Sequence, residues 1–223
     1  DGVYPCSVTG VSGIHKAQMI LGLYEDSTIL VITDDEANAR RLTDDINEMC
    51  GERLAYGYPA KDFTFTNVES VSREYEYARL EVLSKLISND CGIIVASIES
   101  ALQKTIPPEK LKARTITLKS QQEIAIKDLS ERLISAGYSR ADQVEGVSQF
   151  SIRGAIIDIF PVQSAFPIRI ELWGDEIDTM SYFDTETQRR TEKIDEIAIS
   201  PALEVLFESI DEFSEKISEL SKN

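Results

Sequence analysis

The apolar positions in the first half of the chain alternate between strand-like runs and helix-like stripes. Short apolar runs predict four strands, at residues 4–9, 27–33, 53–59 and 91–97. A helix is expected after the first strand, and two longer helices are predicted at residues 34–50 and 68–90, the latter with Val71 in its apolar stripe. Alternation of strands and helices indicates right-handed βαβ units, and therefore a parallel sheet.

The second half of the chain follows another pattern, which begins after the prolines of IPPEK interrupt the alternation. One helix is predicted at residues 120–138, with four apolar residues facing inward, namely Ile124, Leu129, Leu133 and Ile134. Strand signals follow at residues 149–161, 166–184 and 193–201. A helix followed by successive strands predicts an α+β domain with an antiparallel sheet.

We therefore expect an α/β protein with two domains and a short terminal segment. The boundaries fall at residues 1–113 for the parallel-sheet domain, 114–200 for the smaller α+β domain, and 201–223 for the terminal segment. That segment reads as an acidic amphipathic helix whose apolar side is formed by Ile210, Phe213, Ile217 and Leu220.

Composition places the chain among soluble, cytoplasmic proteins. No apolar run approaches the roughly 18–20 residues that span a bilayer, so no membrane contact is expected. The three cysteines, Cys6, Cys50 and Cys91, are widely spaced and odd in number, which favours buried, reduced thiols over disulfides or a zinc site. An initial Asp in place of Met suggests a piece of a longer protein.

The charge balance argues against nucleic acid as a direct ligand. The chain has 39 acidic and 23 basic side chains and a net charge of −16. Lys and Arg contacts to phosphate supply most of the affinity of nucleic-acid-binding proteins, and this surface would repel DNA. A protein partner with basic patches is easier to accommodate.

The segment VTGVSGIHKAQ lies where an α/β nucleotidase would place its phosphate loop, which is spelled G-x-x-x-x-G-K-[ST]. Gly10 and Gly13 are available for the backbone turn. Alignment on Gly13 puts Ile14 at the position of the Lys and His15 at that of the Ser or Thr. Lys16 comes two residues late, and its side chain would be turned by about 200°.

This degenerate loop lacks the groups that neutralise phosphate and hold Mg²⁺, so we expect no ATP hydrolysis and no nucleotide cofactor. The helix start could still hold an anion weakly. His15 is the only histidine in the chain, which excludes two-histidine metal sites and makes a His-based triad unsupported.

Carboxylate pairs elsewhere have ordinary explanations, and no metal site is expected. Asp34 and Asp35 follow a strand, and a helix N-cap explains them better than a metal site does. The run AIIDIF imitates the apolar strand plus Asp that binds Mg²⁺ in nucleotidases, but Asp158 belongs to the second domain. Asp175 and Glu176 fit turn chemistry.

The segment PIRIELWGDE is the clearest candidate for a binding surface. Strict alternation separates an aliphatic face of Ile168, Ile170 and Leu172 from a second face of Arg169, Glu171 and Trp173. Trp and Arg are enriched in binding hot spots. Alternatively, Trp173 covers a sheet edge or packs beneath a helix, and Arg169 is merely paired with Glu171.

The motifs SIRGAIIDIFP and PIRIELWGDEIDTMSYFDTETQRR resemble the second domain shared by bacterial transcription-repair coupling factors (the Mfd family) and the excision-repair helicase UvrB. VTGVSGIHKA and GIIVASIESAL are similar to the helicase phosphate loop and to a later strand and helix of the same module. The resemblance spans roughly residues 1–207. It implies a degenerate helicase-like (P-loop NTPase-type) first domain, and identifies residues 201–223 with a segment that returns to complete it.

Two departures from UvrB favour the coupling factors. UvrB keeps an intact G-K-[ST], which this chain lacks. Between YGYP and SREYEYARL lie only about a dozen residues, too few for the tyrosine-rich hairpin with which UvrB grips DNA. The resemblance therefore implies the N-terminal, non-catalytic module of a coupling factor, whose remaining domains would be further partners.

In this family the second domain binds UvrA through exposed arginines and a neighbouring aromatic residue. The matching positions are Arg153 in IRGA, Arg169 in PIRIE, and Trp173, where the family usually has Phe. The resemblance thus implies recruitment of UvrA, and with it nucleotide excision repair, to stalled RNA polymerase. Two alternatives stay open: a divergent nucleotide-dependent DNA helicase fragment of the UvrB type, and a purely structural domain.

Overall fold

The computed structural model describes residues 5–25, 27–61, 73–90, 92–204 and residue 218. Backbone contacts divide the chain into two compact units, Asp1–Lys104 and Thr105–Asn223. The first unit holds a parallel sheet and the second holds mainly antiparallel sheets, so the chain is of the mixed α/β class. Val71, Cys91 and the apolar residues predicted for the terminal helix lie outside the described residues.

Helices and strands alternate along the first unit. In chain order they are α1 (Gly13–Leu23), β1 (Ile29–Thr33), α2 (Glu36–Cys50), β2 (Ala55–Tyr58), α3 (Glu74–Ser88), β3 (Ile93–Ser97) and α4 (Ile98–Leu102). The three strands lie in the order β1-β3-β2, and both pairs are parallel. The predicted parallel sheet is confirmed.

The second helix shows why the sequence signals for helix ends were reliable here. Asp35 is the N-cap of α2, and its side chain accepts a hydrogen bond of 2.7 Å from the backbone N–H of Asn38. Gly51 follows the helix with φ of 76°, a left-handed conformation that glycine adopts without steric cost. The N-cap interpretation of Asp35 is confirmed.

Apolar residues of α1 and α2 pack with one face of the parallel sheet. The buried side chains come from both helices and from β2 and β3, and Ile29 and Val31 of β1 are partly buried against them. The buried members include Ala17, Ile20, Leu42, Ile46, Ala55, Ile93 and Val95. On the other face, Val82 of α3 packs with Ile94, Tyr56 and Tyr58. The sheet is therefore covered by helices on two sides, as parallel strands require.

The strand predicted at residues 4–9 is wrong for the part that the structure describes. Residues 5–9 are exposed and belong to no strand. Their only strand-favouring side chains are Val8 and Thr9, so the segment has no apolar face whose burial would fix it against a sheet edge.

The second unit contains two helices and eight strands within the described residues. In chain order they are α5 (Pro108–Arg114), β4 (Ile116–Lys119), α6 (Ile126–Ser135), β5 (Ser139–Arg140), β6 (Gln149–Arg153), β7 (Ile156–Ile159), β8 (Ile168–Trp173), β9 (Glu176–Phe183), β10 (Arg190–Ile194) and β11 (Glu196–Ile199). Six strands form one sheet in the order β10-β9-β8-β7-β6-β5, and β11 pairs with β4. Only β5 and β6 are parallel, so the predicted antiparallel sheet is confirmed in its main part.

Two details differ from the sequence expectation. Residues 149–161 form a hairpin of two strands, because Gly154 takes φ of 62° in the tight turn between β6 and β7. In α6, Leu129 and Leu133 are buried, whereas Ile134 is 56% exposed and not inward-facing. The reason is geometric, since the residue after Leu133 is rotated by about 100° around the helix.

The apolar core of the six-stranded sheet lies on one face. Residues that share this face by register are almost fully buried, namely Phe150, Ile157, Ile159, Ile168, Ile170 and Met180. The alternate residues point to the opposite face, where the candidate site lies. Within the described residues no helix is long and apolar enough to cross a membrane.

Candidate protein-interaction site

A row of polar residues crosses four strands on the face opposite the apolar core. Strand register sets Ser151 beside Asp158, Asp158 beside Arg169, and Arg169 beside Ser181. Ser151, Asp158 and Ser181 are buried although they are polar. Buried charges require partners, because removing a carboxylate from water is costly.

Asp158 is the centre of this row. Its carboxylate is 1% exposed and accepts two hydrogen bonds from Arg169, at 2.7 Å from Nε and 2.9 Å from Nη2. Nη2 of Arg153 donates a third, at 2.7 Å. One buried carboxylate therefore holds two guanidinium groups. The resemblance of AIIDIF to a magnesium site is thus explained by a structural ion pair.

Arg169 is enclosed on several sides. Its Nη1 and Nη2 donate to the carbonyl oxygen and the side-chain Oε1 of Gln188, at 3.1 and 3.0 Å. The guanidinium carbon lies 4.4 Å from the centre of the Phe183 ring, in a cation–π arrangement. Hydrogen bonding to Asp158 raises the pKa of Arg169 above its ordinary value. The Arg169 side chain is only 12% exposed.

Arg153 is the accessible member of the pair. Its side chain is 45% exposed, and it stands at the end of β6, next to the turn at Gly154. We call Arg153, Asp158, Arg169 and Gln188 the Asp158 cluster. Two of the three predicted interaction residues are thus joined through a carboxylate, one of them solvent-facing and the other mostly enclosed.

The alternative in which Arg169 is paired with Glu171 is wrong. Glu171 instead forms an ion pair with Arg190 of β10, across the sheet. Glu171 also accepts a hydrogen bond from Thr179, opposite it on β9. Asp158 carries the same charge as Glu171 but is more buried, at 1% against 25% side-chain exposure, and low solvent access strengthens its attraction to Arg169.

Trp173 ends β8 and is 83% exposed. The following Gly174 takes φ of 66° in a two-residue turn, after which Glu176 begins β9. Trp173 therefore does not pack beneath a helix in the part of the chain that the structure describes. On the same strand face as Arg169 and four residues further along, it lies about 13 Å away. The predicted turn at Gly174 and Asp175 is confirmed.

The predicted phosphate loop of the first unit has no cationic side chain at its Lys position. Helix α1 begins at Gly13, and Ile14 there is exposed to solvent. Nδ1 of His15 lies 2.7 Å from Oγ of Ser12, and both residues are exposed. Gly10 supplies a left-handed turn, with φ of 77°.

A cavity of about 620 Å³ adjoins this loop. Lys16 and Arg41 line it together with the acidic side chains of Asp34 and Asp45. A hydrogen bond of 2.9 Å from the Asn38 side chain lowers the pKa of Asp34 and keeps this carboxylate charged. The two acidic side chains offset the two basic ones, so the cavity has no surplus positive charge for a nucleotide phosphate. Among the described residues, no group of three His, Cys, Asp or Glu side chains could hold a metal ion.

Comparison with known proteins finds similarity in the second unit and along most of the chain. Residues 116–204 match the family model described as the UvrB interaction domain. The chain is 31% identical to the transcription-repair-coupling factor of Bacillus subtilis over 209 residues, which are 92% of this chain and 18% of that protein. It is 32% identical to the transcription-repair-coupling factor of Staphylococcus haemolyticus over 197 residues, 87% of this chain and 17% of the relative.

The chain is a homologue of part of the transcription-repair-coupling factors. The match to the UvrB interaction domain model covers residues 116–204, which is less than half of the chain. The chain spans less than a fifth of the length of the relatives it matches. The match includes β4 to β11, so the six-stranded sheet and the Asp158 cluster lie inside the UvrB interaction domain.

Two members of the Asp158 cluster, Asp158 and Gln188, were not predicted as site residues from the sequence. Asp158 and Arg153 lie five residues apart, on opposite arms of a hairpin whose turn was not predicted. The motif RGA, with a glycine after a strand, was the available signal for that turn. Gln188 lies in an irregular loop and takes φ of 59°, for which no pattern gave a signal.

Proposed function

We propose that this chain is a non-catalytic recruitment module. In this proposal it binds UvrA and, as part of a transcription-repair coupling factor, brings nucleotide excision repair to stalled RNA polymerase. The observation that carries the proposal is an exposed Trp173 on the same sheet face as the Asp158 cluster, in the segment that matches the UvrB interaction domain. The names of the relatives support a role between transcription and repair.

We define the interaction face as Arg153, Arg169 and Trp173. Trp173 offers a large apolar area for burial, and its backbone is already ordered at the end of β8. Arg153 offers a half-exposed guanidinium for a carboxylate of the partner. Truncation of such an aromatic or arginine hot spot commonly costs about 2 kcal/mol or more.

The proposal includes no chemistry in the first unit. We infer that residues 1–113 are a degenerate helicase-like domain, that 114–200 carry the UvrA-binding function, and that 201–223 begin a segment returning to the first domain. Ile14 and His15 replace the groups that neutralise phosphate and hold Mg²⁺ in a phosphate loop. The expected result of a titration with ATP and Mg²⁺ is no saturable heat in calorimetry. Saturable binding at micromolar nucleotide would favour the helicase alternative.

The partner is tested by the affinity of purified UvrA for the wild-type chain and for Trp173→Ala. Because Trp173 is exposed, its removal leaves the fold intact, which circular dichroism checks. We expect the affinity to fall by at least ~10-fold. Leu102→Ala is the matched control, since Leu102 is 80% exposed but lies in the first unit. The proposal fails if wild type does not bind UvrA. If both variants bind like wild type, the interaction face is misplaced.

A further inference from the structure

We infer that Asp158 is a positioning residue for partner recognition, and that Arg169 acts through it and not by contact with the partner. This inference rests on the proposed function, which it deepens by dividing the interaction face into contact and support. In this division Arg153 and Trp173 are the contact groups. Asp158 and Arg169 hold the Arg153 guanidinium in place.

The hydrogen-bond inventory of Arg169 leaves little for a partner. A guanidinium has five N–H donors, one on Nε and two on each of Nη1 and Nη2. Nε donates to Asp158, Nη2 donates to both Asp158 and Gln188, and Nη1 donates to the Gln188 carbonyl. Four of the five donors are therefore engaged, and Phe183 covers one face of the group.

Arg153, by contrast, has most of its N–H donors free of partners within the part of the chain that the structure describes. Among the described residues it makes one side-chain hydrogen bond, from Nη2 to Asp158 Oδ2. Its side chain is nearly four times as exposed as that of Arg169, at 45% against 12%. The free donors can form the two parallel bonds with which arginine recognises a carboxylate.

The net positive charge of the cluster is exposed to solvent on Arg153. The single Asp158 carboxylate faces two guanidinium groups, so the three side chains carry one net positive charge. Arg169 and Asp158 are enclosed, and the surplus charge is presented by Arg153. The chemistry expected of the partner is therefore an acidic side chain, seated within about 3 Å of Arg153 and flanked by an apolar pocket for Trp173.

Asp158 itself is too buried to touch a partner, at 1% exposure. Any effect of Asp158→Asn on affinity in folded protein therefore passes through the arginines. The neutral amide keeps the shape of the side chain but cannot neutralise two guanidinium groups. Arg153 then loses its fixed position, and binding must order it again.

The test is a double-mutant cycle in the affinity for purified UvrA, using Asp158→Asn, Arg153→Ala and both together. We expect each single substitution to weaken binding by at least ~10-fold, and the double to lie within ~2-fold of the weaker single variant. Glu196→Gln is the control, because it breaks the ion pair with Lys119 in the other sheet of the unit. We expect this control to bind like wild type.

Two results would overturn the inference. One is folded Asp158→Asn protein that binds UvrA like wild type. The other is multiplication of the two single losses in the double variant, which indicates independent effects. If Asp158→Asn does not fold, the same cycle is run with Arg169→Lys and Arg153→Ala. Lys keeps the charge but cannot reproduce the fork to Asp158 and Gln188. Non-additive losses support positioning, and additive losses contradict it.

A measurement without UvrA separates this inference from the proposed function. The Nε–H proton of Arg169 should give a slowly exchanging NMR signal, distinct from that of mobile arginines, which is lost in Asp158→Asn and kept in Glu196→Gln. If wild type does not bind UvrA but this signal is present, the proposed function fails and the positioning of Arg169 stands. A wild-type signal that exchanges like free arginine overturns the positioning itself.

Discussion

Ser151 is a buried side chain whose hydroxyl gains nothing from the fold. Its Oγ is buried and has no hydrogen-bond partner within the described residues, although Asp158 stands beside it in the register. Arg153 and Arg169 already occupy both oxygens of that carboxylate. Burial of this hydroxyl removes its hydrogen bonds to water, and no hydrogen bond within the described residues compensates for them.

Ser151→Ala should accordingly leave the free energy of unfolding unchanged or raise it by up to about 1 kcal/mol. Urea unfolding measures this. Ser97→Ala is the comparison, because Ser97 is equally buried but accepts from the Ser100 N–H at 3.1 Å and donates to Glu36. That variant should lose roughly 1–2 kcal/mol. A loss for Ser151→Ala as large as that for Ser97→Ala would contradict the assignment.

Position 137 accommodates only glycine without strain. It follows α6 with φ of 91°, and a Cβ added there would lie 2.5 Å from Cγ of Leu203. Gly154 also has positive φ, 62°, but a Cβ there would meet no atom within 4 Å. The two glycines share the backbone conformation and differ in the space around them.

We predict that Gly137→Ala destabilises the chain more than Gly154→Ala does. The left-handed conformation costs about 1–2 kcal/mol in both variants, and the clash at Leu203 adds about 1–3 kcal/mol in the first. Thermal or urea unfolding of both variants checks the order. Equal losses would mean that Leu203 does not pack against Gly137.

At the scale of elements, the loop between β9 and β10 holds Arg169 of the proposed interaction face. Asp184 accepts bonds of 2.7 and 2.8 Å from the backbone N–H and the hydroxyl of Thr187. Its backbone carbonyl accepts from the N–H of Gln188, which in turn binds Arg169. The loop thus carries the Gln188 carbonyl to the guanidinium.

The Thr187 hydrogen bonds, first that from the backbone N–H, lower the pKa of Asp184 below its ordinary value of 3.8. A lowered pKa in the folded state means that the stabilisation is complete above the unfolded-state pKa, and is lost as pH falls through the folded-state pKa. We predict that an NMR titration of the Asp184 carboxyl has its midpoint below 3.8, and that Thr187→Val moves it upward. An unchanged midpoint in that variant would contradict the cause.

Elements with strong local signals were the predictable part of this fold. The apolar runs gave β1 and β3, and Asp35 with Gly51 marked both ends of α2. The alternation in β8 separated Arg169 and Trp173 from the core face. These features depend on residues close in sequence, whose geometry the pattern already contains.

The parts that were not predictable depend on pairing between distant residues. The strand expected at residues 4–9 does not form in its described part, because a strand needs an apolar face or a sheet edge to hold it. The register of β7 against β8 determines the ion pair: it places Asp158 opposite Arg169, so Arg169 pairs with Asp158 and not with Glu171. The sequence predicted both arginines, but only the structure of the sheet shows that Arg153 is the accessible one.

At the scale of the whole molecule, the proposed interaction face is a basic patch on a chain with a net charge of −16. The net charge of −16 repels an acidic partner at long range, but salt screens that repulsion beyond about 8 Å at physiological ionic strength. A carboxylate in contact with Arg153 is well inside this distance. Recognition should therefore depend on contact at Arg153 and Trp173, and little on the overall charge.

The most direct test of the account is the affinity of UvrA for Arg153→Glu, compared with Arg132→Glu. Both arginines are in the UvrB interaction domain and accessible, and both substitutions change the net charge equally. We expect Arg153→Glu to abolish binding, because a carboxylate would meet the acidic group of the partner, and Arg132→Glu to bind within ~2-fold of wild type. Equal affinities for the two folded variants would contradict recruitment through this face.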